Sequence, residues 1–205
     1  MIHFQVEMED LTQIEAALGM TKDKSKLVLK TAINNTAKQT VKLLVDEANK
    51  QYIINKKVNV RKTLDVKKAT TSNLAAIVTS KGRTTELYDF RVSPKAYSPR
   101  NRPPAGHTGN VKRSNGPKHL YLKPGGGDQY KAFVVKFASG HISVAQRIPG
   151  SSMKDKPYKE AIKNLRSTSV PAMLGYEQGV FGVVEPKMND LLMDNIQAQI
   201  ARYLG

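Results

Sequence analysis

The feature that most constrains the fold of this chain is one long apolar stripe between Leu29 and Tyr52. Apolar and small residues recur there at spacings of three and four, which is the repeat of one face of an α-helix. The stripe consists of Leu29, Ala32, Ile33, Thr36, Ala37, Val41, Leu44, Val45, Ala48 and Tyr52. The other faces carry Lys30, Lys38, Lys42 and Lys50. We therefore predict a helix over residues 22–53, whose small central residues let another backbone approach closely.

Residues 131–148 predict an antiparallel hairpin. Phe133, Val135 and Phe137 fall on alternate positions, and the alternation resumes after the small, glycine-containing break at residues 139–141. Aromatic and β-branched residues at a period of two are typical of strands, and a short break with glycine is typical of the turn between them. Many α+β proteins contain such a hairpin, so periodicity alone does not indicate a function.

The remaining segments complete an α+β prediction. Residues 2–6 alternate as a short strand, residues 10–18 form a brief amphipathic helix, and residues 73–92 hold two strands around 80–83. Pro186 suits the first position of a last helix with a narrow apolar face. We predict one antiparallel sheet, holding the 131–148 hairpin and the 73–92 strands, packed by the long N-terminal helix and a C-terminal helix over 186–203.

Residues 93–127 differ in composition from the rest of the chain. They hold six of its 10 prolines and six of its 14 glycines, with seven basic residues and no acidic one. Few of their side chains are apolar, so this segment buries too little surface to fold alone. We predict a single domain over residues 1–205 with a flexible basic insertion at 93–127, a long Pro/Gly-rich loop that lacks regular secondary structure and becomes ordered against partners.

Composition limits the classes of function. The net charge of +16 and the pI near 9.9 favour nucleic acid, acidic protein surfaces or anionic membranes as partners. The absence of cysteine excludes disulfides and thiolate sites. No apolar run approaches the roughly 20 residues that span a bilayer, and the first residues lack the pattern of a signal peptide. We expect a soluble protein made in the cytosol, with no membrane partner.

No arrangement of residues predicts an enzyme. The 4 histidines show no metal-ligand spacing, and His141, in the hairpin turn, is more typical of a residue that hydrogen-bonds its own turn. The glycine-rich stretches at 106–109 and 125–127 do not follow a strand and open a helix, so they are not phosphate-binding loops. The carboxylate pair Asp190 and Asp194 fits a solvated helix face. We expect no catalytic, cofactor or metal site.

Basic clusters are the remaining signal. Six basic residues occur within residues 56–68, against Asp65 alone, and seven more occur in the 93–127 segment. Such clusters can neutralise DNA phosphates, dock on acidic proteins or form a solvated face. The candidate partner or DNA-channel contacts are Lys56, Lys57, Arg61, Lys62, Arg100, Arg102, Lys112 and Arg113.

Five separated stretches of the chain carry a resemblance to a known family. Residues 132–147 have the pattern Ala-Phe-x-x-x-Phe-x-Ser-Gly-His-x-x-x-x-x-Arg. The others are Ala32-Ile-Asn-Asn-Thr-Ala37, the basic segment 60–64 with 68–76, Leu87-x-Asp89-Phe90, and Ser169-Val-Pro-x-Met-Leu-Gly175. In this order they resemble the minor tail protein Z family of lambda-like phages and prophages, over roughly residues 27–205. Thr168 stands where that family has a proline.

The resemblance implies a structural virion protein that completes a long tail at its head-proximal end and mediates head–tail joining. It also implies a homo-oligomeric ring, six-fold, stacked between the tail terminator and the head–tail connector, with genome DNA in its lumen. Such a protein is located in the virion tail, and in the host cytoplasm during assembly. The alternative is a free, sequence-nonspecific nucleic-acid-binding protein, although the chain lacks helix-turn-helix, RNP, KH and zinc signatures. An enzyme acting on cell wall or nucleic acid is a third hypothesis without a catalytic constellation.

Overall fold

The computed structural model describes residues 2–5, 15–16, 22–55, 58–95, 106–122 and 130–204. The chain divides into two compact units. The first unit comprises residues 1–48, 59–82 and 170–205, and the second comprises 49–58 and 83–169. The class is α+β, with a long N-terminal helix, a C-terminal helix and small antiparallel sheets, as predicted.

Helix α1 runs over Lys22–Gln51, within two residues of the predicted range. Its stripe is buried as expected, because Leu29, Ala32, Ile33 and Ala37 have no solvent exposure. The negative charge of Asp23 in the first turn interacts favourably with the positive end of the helix dipole. The brief helix predicted at 10–18 lies outside the described residues, apart from 15–16, which are helical.

The first unit contains a three-stranded antiparallel sheet made of β1 (Ile2–Gln5), β2 (Leu64–Lys67) and β3 (Ala75–Ser80). The order is β1-β3-β2, so β3 is the central strand. Ala76 and Val78 of β3 are buried at a period of two. The predicted strands at the N-terminus and after residue 73 are therefore confirmed.

The C-terminal helix begins earlier than predicted. After the short helix α2 (Val170–Leu174), α3 runs over Val180–Leu204 and holds Pro186 in its interior. The prediction that Pro186 occupies the first position was wrong because Val180 and Val184 are buried one turn apart, and their burial extends the helix upstream.

Helices α1 and α3 pack through an apolar cluster with a polar link beside it. Leu29, Ala32 and Ile196 are buried together, with Leu74, Leu192 and Ile200 packed around them. The side-chain amide of Asn195 donates to Thr36 Oγ1 at 3.0 Å and to Gln39 Oε1 at 2.7 Å. Because buried polar groups need partners, this link restricts how the two helices slide along each other.

Among its described residues, the second unit holds ten short strands in four antiparallel sheets. They are β4 (Thr84–Glu86), β5 (Arg91–Ser93), β6 (Thr108–Asn110), β7 (Lys118–His119), β8 (Tyr121–Leu122), β9 (Tyr130–Lys131), β10 (Phe133–Lys136), β11 (Ile142–Arg147), β12 (Ile162–Asn164) and β13 (Arg166–Ser169). The sheets are β10-β11-β12, β4-β13, β5-β6-β7 and β8-β9. One buried apolar cluster of this unit consists of Leu87, Val92, Ala132, Val134 and Val144.

The predicted hairpin is confirmed. Strands β10 and β11 pair antiparallel, with Phe133 opposite Ala145. In the turn, the amide of Phe137 donates to the carbonyl of His141 at 2.8 Å, and Gly140 adopts a φ of 82°. Glycine adopts that left-handed conformation without the steric cost of a side chain.

The prediction of one shared sheet was wrong. The hairpin gains β12 as its third strand, whereas β3 pairs with β1 and β2, and β4 pairs with β13. Residues Leu87–Asp89 form a 3-10 helical turn instead of a strand, so the segment 84–93 is broken into β4 and β5. The turn buries Leu87 and Phe90, which explains why apolar residues there suggested a strand.

The expected absence of regular structure over 93–127 was also wrong for the described part. Strands β6, β7 and β8 lie within residues 106–122, and β6 pairs with both β5 and β7. Gly109 lets the side chain of Leu120 approach the backbone of β6. A Cβ at Gly109 would lie only 3.1 Å from Leu120 Cδ2. Residues 96–105 and 123–129 lie outside the described part of the chain.

Candidate assembly and nucleic-acid interface

Half of the predicted contact residues lie in the described part of the chain. Lys56, Lys57, Arg100 and Arg102 lie outside it. Arg61 and Lys62 belong to the first unit, and Lys112 and Arg113 belong to the second. The four described residues therefore form two pairs of sequence neighbours, one pair in each unit.

Arg61 and Lys62 are exposed on a 3-10 helical turn over Val60–Thr63. Asn59 caps this turn, because its side-chain oxygen accepts a hydrogen bond from the Lys62 amide at 3.1 Å. Val60 anchors the turn in the core at 4% exposure. Arg61 Nη1 donates to the carbonyl of Leu64 at 2.9 Å, which holds the guanidinium in place.

A groove of about 280 Å³ lies beside Arg61 in the first unit. Its lining includes Lys38, Lys42 and Asp46 from exposed positions of α1, with Val41 and Val45 as the apolar part. Three cations and one carboxylate therefore line this groove, and the net positive charge suits an anionic ligand such as a phosphate or an acidic side chain. Sequence reasoning had left these lysines on the polar side of α1, although their spacing of four residues places them on one face.

The basic segment after this turn is held against α1 by one side chain. Asn34 Nδ2 donates to the carbonyl of Ala69 at 3.1 Å, and Asn34 Oδ1 accepts from the Ala69 amide at 2.8 Å. Ala69 itself is buried, while Lys67 and Lys68 before it are exposed. Asn34 thus fixes the segment that presents two cations to solvent.

Replacing Asn34 by alanine is expected to lower the free energy of unfolding by about 1–3 kcal/mol, because both backbone groups of Ala69 lose their partner. Urea unfolding followed by circular dichroism measures this loss. Asn35→Ala is the matched control, since the structure gives its side chain no hydrogen bond within the described residues, and a change within about 0.5 kcal/mol is expected. Equal losses in the two variants would contradict the role of Asn34.

Lys112 and Arg113 lie at the C-terminal end of α1 and are engaged there. Tyr52 and Lys112 form an antiparallel bridge, and the amide of Ile53 donates to the carbonyl of Val111 at 2.9 Å. Lys112 Nζ lies 5.6 Å from the ring centroid of Tyr52. Arg113 Nη2 donates to the carbonyl of Asn49 at 3.5 Å, a long hydrogen bond at the negative end of the helix dipole. These two cations therefore stabilise the second unit, whatever else they contact.

His107 is buried in the 93–127 segment. Its Nδ1 lies 2.9 Å from the carbonyl oxygen of Pro94, and its own carbonyl accepts from the Leu120 amide at 3.0 Å. Burial lowers the pKa of His107 below its ordinary value, and the hydrogen bond to Pro94 opposes that shift. The imidazole is therefore neutral when folded, with Nδ1 donating to Pro94.

Stability of the wild-type protein is expected to fall as the pH drops below about 6.5, the ordinary pKa of histidine. A lowered folded pKa means that the unfolded chain binds the proton first, so this stabilisation is full above the unfolded pKa and is lost towards acid. His107→Gln removes the titration. Urea midpoints at about pH 7.5 and about pH 5 should converge for this variant more than for the wild type. An identical pH dependence of the two proteins would rule out the effect.

His141 hydrogen-bonds its own turn through its backbone carbonyl, as expected, whereas its side-chain Nε2 contacts a different element. That atom lies 3.0 and 3.1 Å from the carboxylate oxygens of Glu86, and the ring stacks on Phe137 with centroids 5.9 Å apart. The pair ties the hairpin turn to β4. Among the described residues, no group of histidine and carboxylate side chains could hold a metal ion. Asp190 and Asp194 are exposed on α3, as predicted.

A second cavity, of about 230 Å³, opens in the first unit. Its lining mixes polar and apolar groups, and the hydroxyl of Ser80 is already hydrogen-bonded to that of Thr63 at 3.1 Å. No described lysine or arginine lines this cavity, whereas Lys38, Lys42 and Arg61 line the groove. The groove beside Arg61 is therefore the better candidate for an interface.

Comparisons with protein-family models, curated proteins and solved structures found no match to this chain. In the described part of the chain, no helix combines the length and the apolar character needed to cross a membrane.

Proposed function

We propose that this protein completes a phage tail at its head-proximal end and mediates head–tail joining as a six-fold homo-oligomeric ring around the DNA channel. The observation that carries the proposal is that five stretches, over roughly residues 27–205, resemble the minor tail protein Z family and occur in the same order along the chain. The proposed partners are the tail terminator, the head–tail connector and the genome DNA in the lumen.

The contacts made by residues of these stretches support the proposal. Asn34, in the first stretch, holds Ala69 in the second. Pro171, in the last stretch, accepts a hydrogen bond from the amide of Gly175 at 2.9 Å, and its ring would lie 3.3 Å from a Cβ at Gly82. Polar side chains, prolines and glycines that hold a fold together are the residues expected to recur among proteins that share this fold.

Acidic protein surfaces are the favoured partners of the basic residues. Lys38, Lys42, Arg61 and Lys62 are exposed, and none forms an ion pair with another described residue. Their charge can meet acidic rims of neighbouring rings, where complementary charges guide docking. A lumen with the same charge would hold DNA strongly and retard its release. We therefore propose that these cations serve assembly before they serve DNA.

The free nucleic-acid-binding protein is the second candidate, and the cation-lined groove beside Arg61 favours it. Size-exclusion chromatography after nuclease treatment, at about 1 M salt, separates the two hypotheses because salt at this concentration screens phosphate contacts. We expect a large, salt-resistant ring or a fraction that remains bound to tails. A monomer that changes size only when DNA is added would contradict tail assembly.

A further inference from the structure

The loop between β11 and β12, residues 148–161, exposes an aromatic side chain beside three lysines and one carboxylate, Asp155. Tyr158 is 78% exposed, the most of any large hydrophobic residue described. Lys154, Lys156 and Lys159 are exposed as well, and none forms an ion pair with the described residues. Tyrosine is enriched among the residues that contribute most to binding, so an exposed tyrosine in an ordered loop is a candidate contact residue.

Hydrogen bonds at the base of the loop fix its shape. The amide of Ile148 donates to the carbonyl of Ala161 at 2.8 Å, and the amide of Ala161 donates to Ser151 Oγ at 3.2 Å. Arg147 Nη1 donates to the carbonyl of Glu160 at 2.8 Å. These contacts close the loop where it leaves β11 and returns to β12.

The tip of the loop is also tied to itself. The amide of Met153 donates to the carbonyl of Lys159 at 2.8 Å, and the amide of Lys159 donates to the carbonyl of Lys156 at 2.9 Å. Lys159 Nζ lies 5.6 Å from the ring centroid of Tyr158. The tip is therefore organised before any partner binds, so that ordering it costs little entropy on binding.

We propose that this loop binds single-stranded nucleic acid, with Tyr158 stacked on a base and the three lysines neutralising the flanking phosphates. A protein interface usually centres on several apolar side chains, whereas this tip offers one flat ring among charges. Each unit of a nucleic-acid strand presents one flat base and one negative charge, which matches that arrangement. Duplex DNA hides its bases, so the ring can contribute to binding a single strand only. The site is independent of the proposed position in a tail.

The expected effects follow from the chemistry of each contact. Stacking on one base contributes about 1–3 kcal/mol, so Tyr158→Ala should weaken single-strand binding by about 5-fold to 150-fold. Each phosphate contact contributes about 0.7 to the salt slope of single-strand binding. Replacing Lys154, Lys156 and Lys159 by glutamine should therefore reduce that slope by about 2.

Fluorescence anisotropy of the full chain tests the proposal, with a labelled oligothymidine of about twelve nucleotides and a duplex of similar length. Tyr158→Ala should weaken oligothymidine binding and leave duplex binding within about twofold, while Tyr158→Phe retains both affinities. Tyr203→Ala is the matched control, because Tyr203 is also an exposed tyrosine but lies on α3, away from the loop in sequence. Thermal unfolding should be unchanged in both Tyr158 variants, since the Tyr158 ring is largely in solvent.

Two results with Tyr158→Ala would overturn the proposal. One is an unchanged oligothymidine affinity in Tyr158→Ala, which would leave the loop as a surface for an acidic protein. The other is an equal loss of affinity for oligothymidine and duplex, which would reduce the loop to a nonspecific charge. If the triple glutamine variant has the same salt slope as the wild type, the three lysines do not contact phosphates, and that part of the proposal is wrong.

Discussion

Reversal of Lys38, Lys42 and Lys62 to glutamate is expected to give tails that form normally and fail to join heads. If these exposed cations dock on acidic rims, the reversal places like charges together at the joint. Such juxtaposition costs several kcal/mol, and about 3 kcal/mol corresponds to a joint weaker by about a hundredfold. Head–tail joining in extracts, scored by electron microscopy and infectivity, measures the effect.

The choice of residues follows from the fold. Lys112 and Arg113 hold the C-terminal end of α1, so their reversal would weaken the second unit and confuse folding with docking. The matched control is reversal of Lys24, Lys136 and Lys187, which are also exposed and change the net charge equally. Normal joining with altered DNA retention or ejection in the first variant would contradict docking and favour a channel role for the groove.

Replacing Gly182 by alanine is expected to lower the free energy of unfolding by about 3 kcal/mol. Gly182 lies in the first turn of α3, and a Cβ there would overlap the carbonyl of Glu177. The turn before the helix is fixed by its own hydrogen bonds, since the amide of Gly179 donates to the carbonyl of Tyr176 at 2.9 Å. Either that turn or the start of α3 must move to admit a methyl group.

Differential scanning calorimetry should show a melting temperature lower by about 6–12 °C for this variant. Val183→Ala is the control, because Val183 is the next residue of α3 and is 40% exposed, so its truncation should cost less than about 1 kcal/mol. Equal melting temperatures for Gly182→Ala and the wild type would show that the helix start tolerates a side chain.

Periodicity predicted the long elements of the fold well. The stripe from Leu29 to Tyr52 covers several turns of helix, so a single residue that departs from the pattern does not obscure it. The 131–148 hairpin combines alternation with a glycine turn. Pro186 misled the prediction at the other helix, because proline is favoured in a first turn and its presence hid the buried Val180 upstream. Short-range rules were thus reliable where many residues agreed.

Pairing between distant strands was not predictable from the same patterns. Strands β4 to β9 have two or three residues each, too few to show a period of two. In the described part of the 93–127 segment, only Val111 and Leu120 pack against the buried apolar cluster of the second unit, and Gly109 and the buried His107 add backbone contacts. Proline and glycine content suggested a structureless loop there, because composition does not record which backbone groups pair.

The candidate interface was predictable in part. Clusters of lysine and arginine identified Arg61 and Lys62, which are exposed, but could not distinguish them from Arg113, which donates to a helix carbonyl. Lys38 and Lys42 join Arg61 only when the 3-10 helical turn is brought beside α1. Exposure and tertiary neighbours, which a linear pattern does not carry, decide which cations can meet a partner.

Electron microscopy of particles assembled without this chain tests the central proposal most directly. The gene is deleted from the genome that encodes it, which we propose to be that of a phage or prophage, and the purified full-length chain is then added back to the extract. We predict DNA-filled heads and separate full-length tails in its absence, with joined virions restored on addition. Joined, infectious particles in the absence of the chain, or the absence of tails altogether, would contradict a role in completing the tail and joining it to the head.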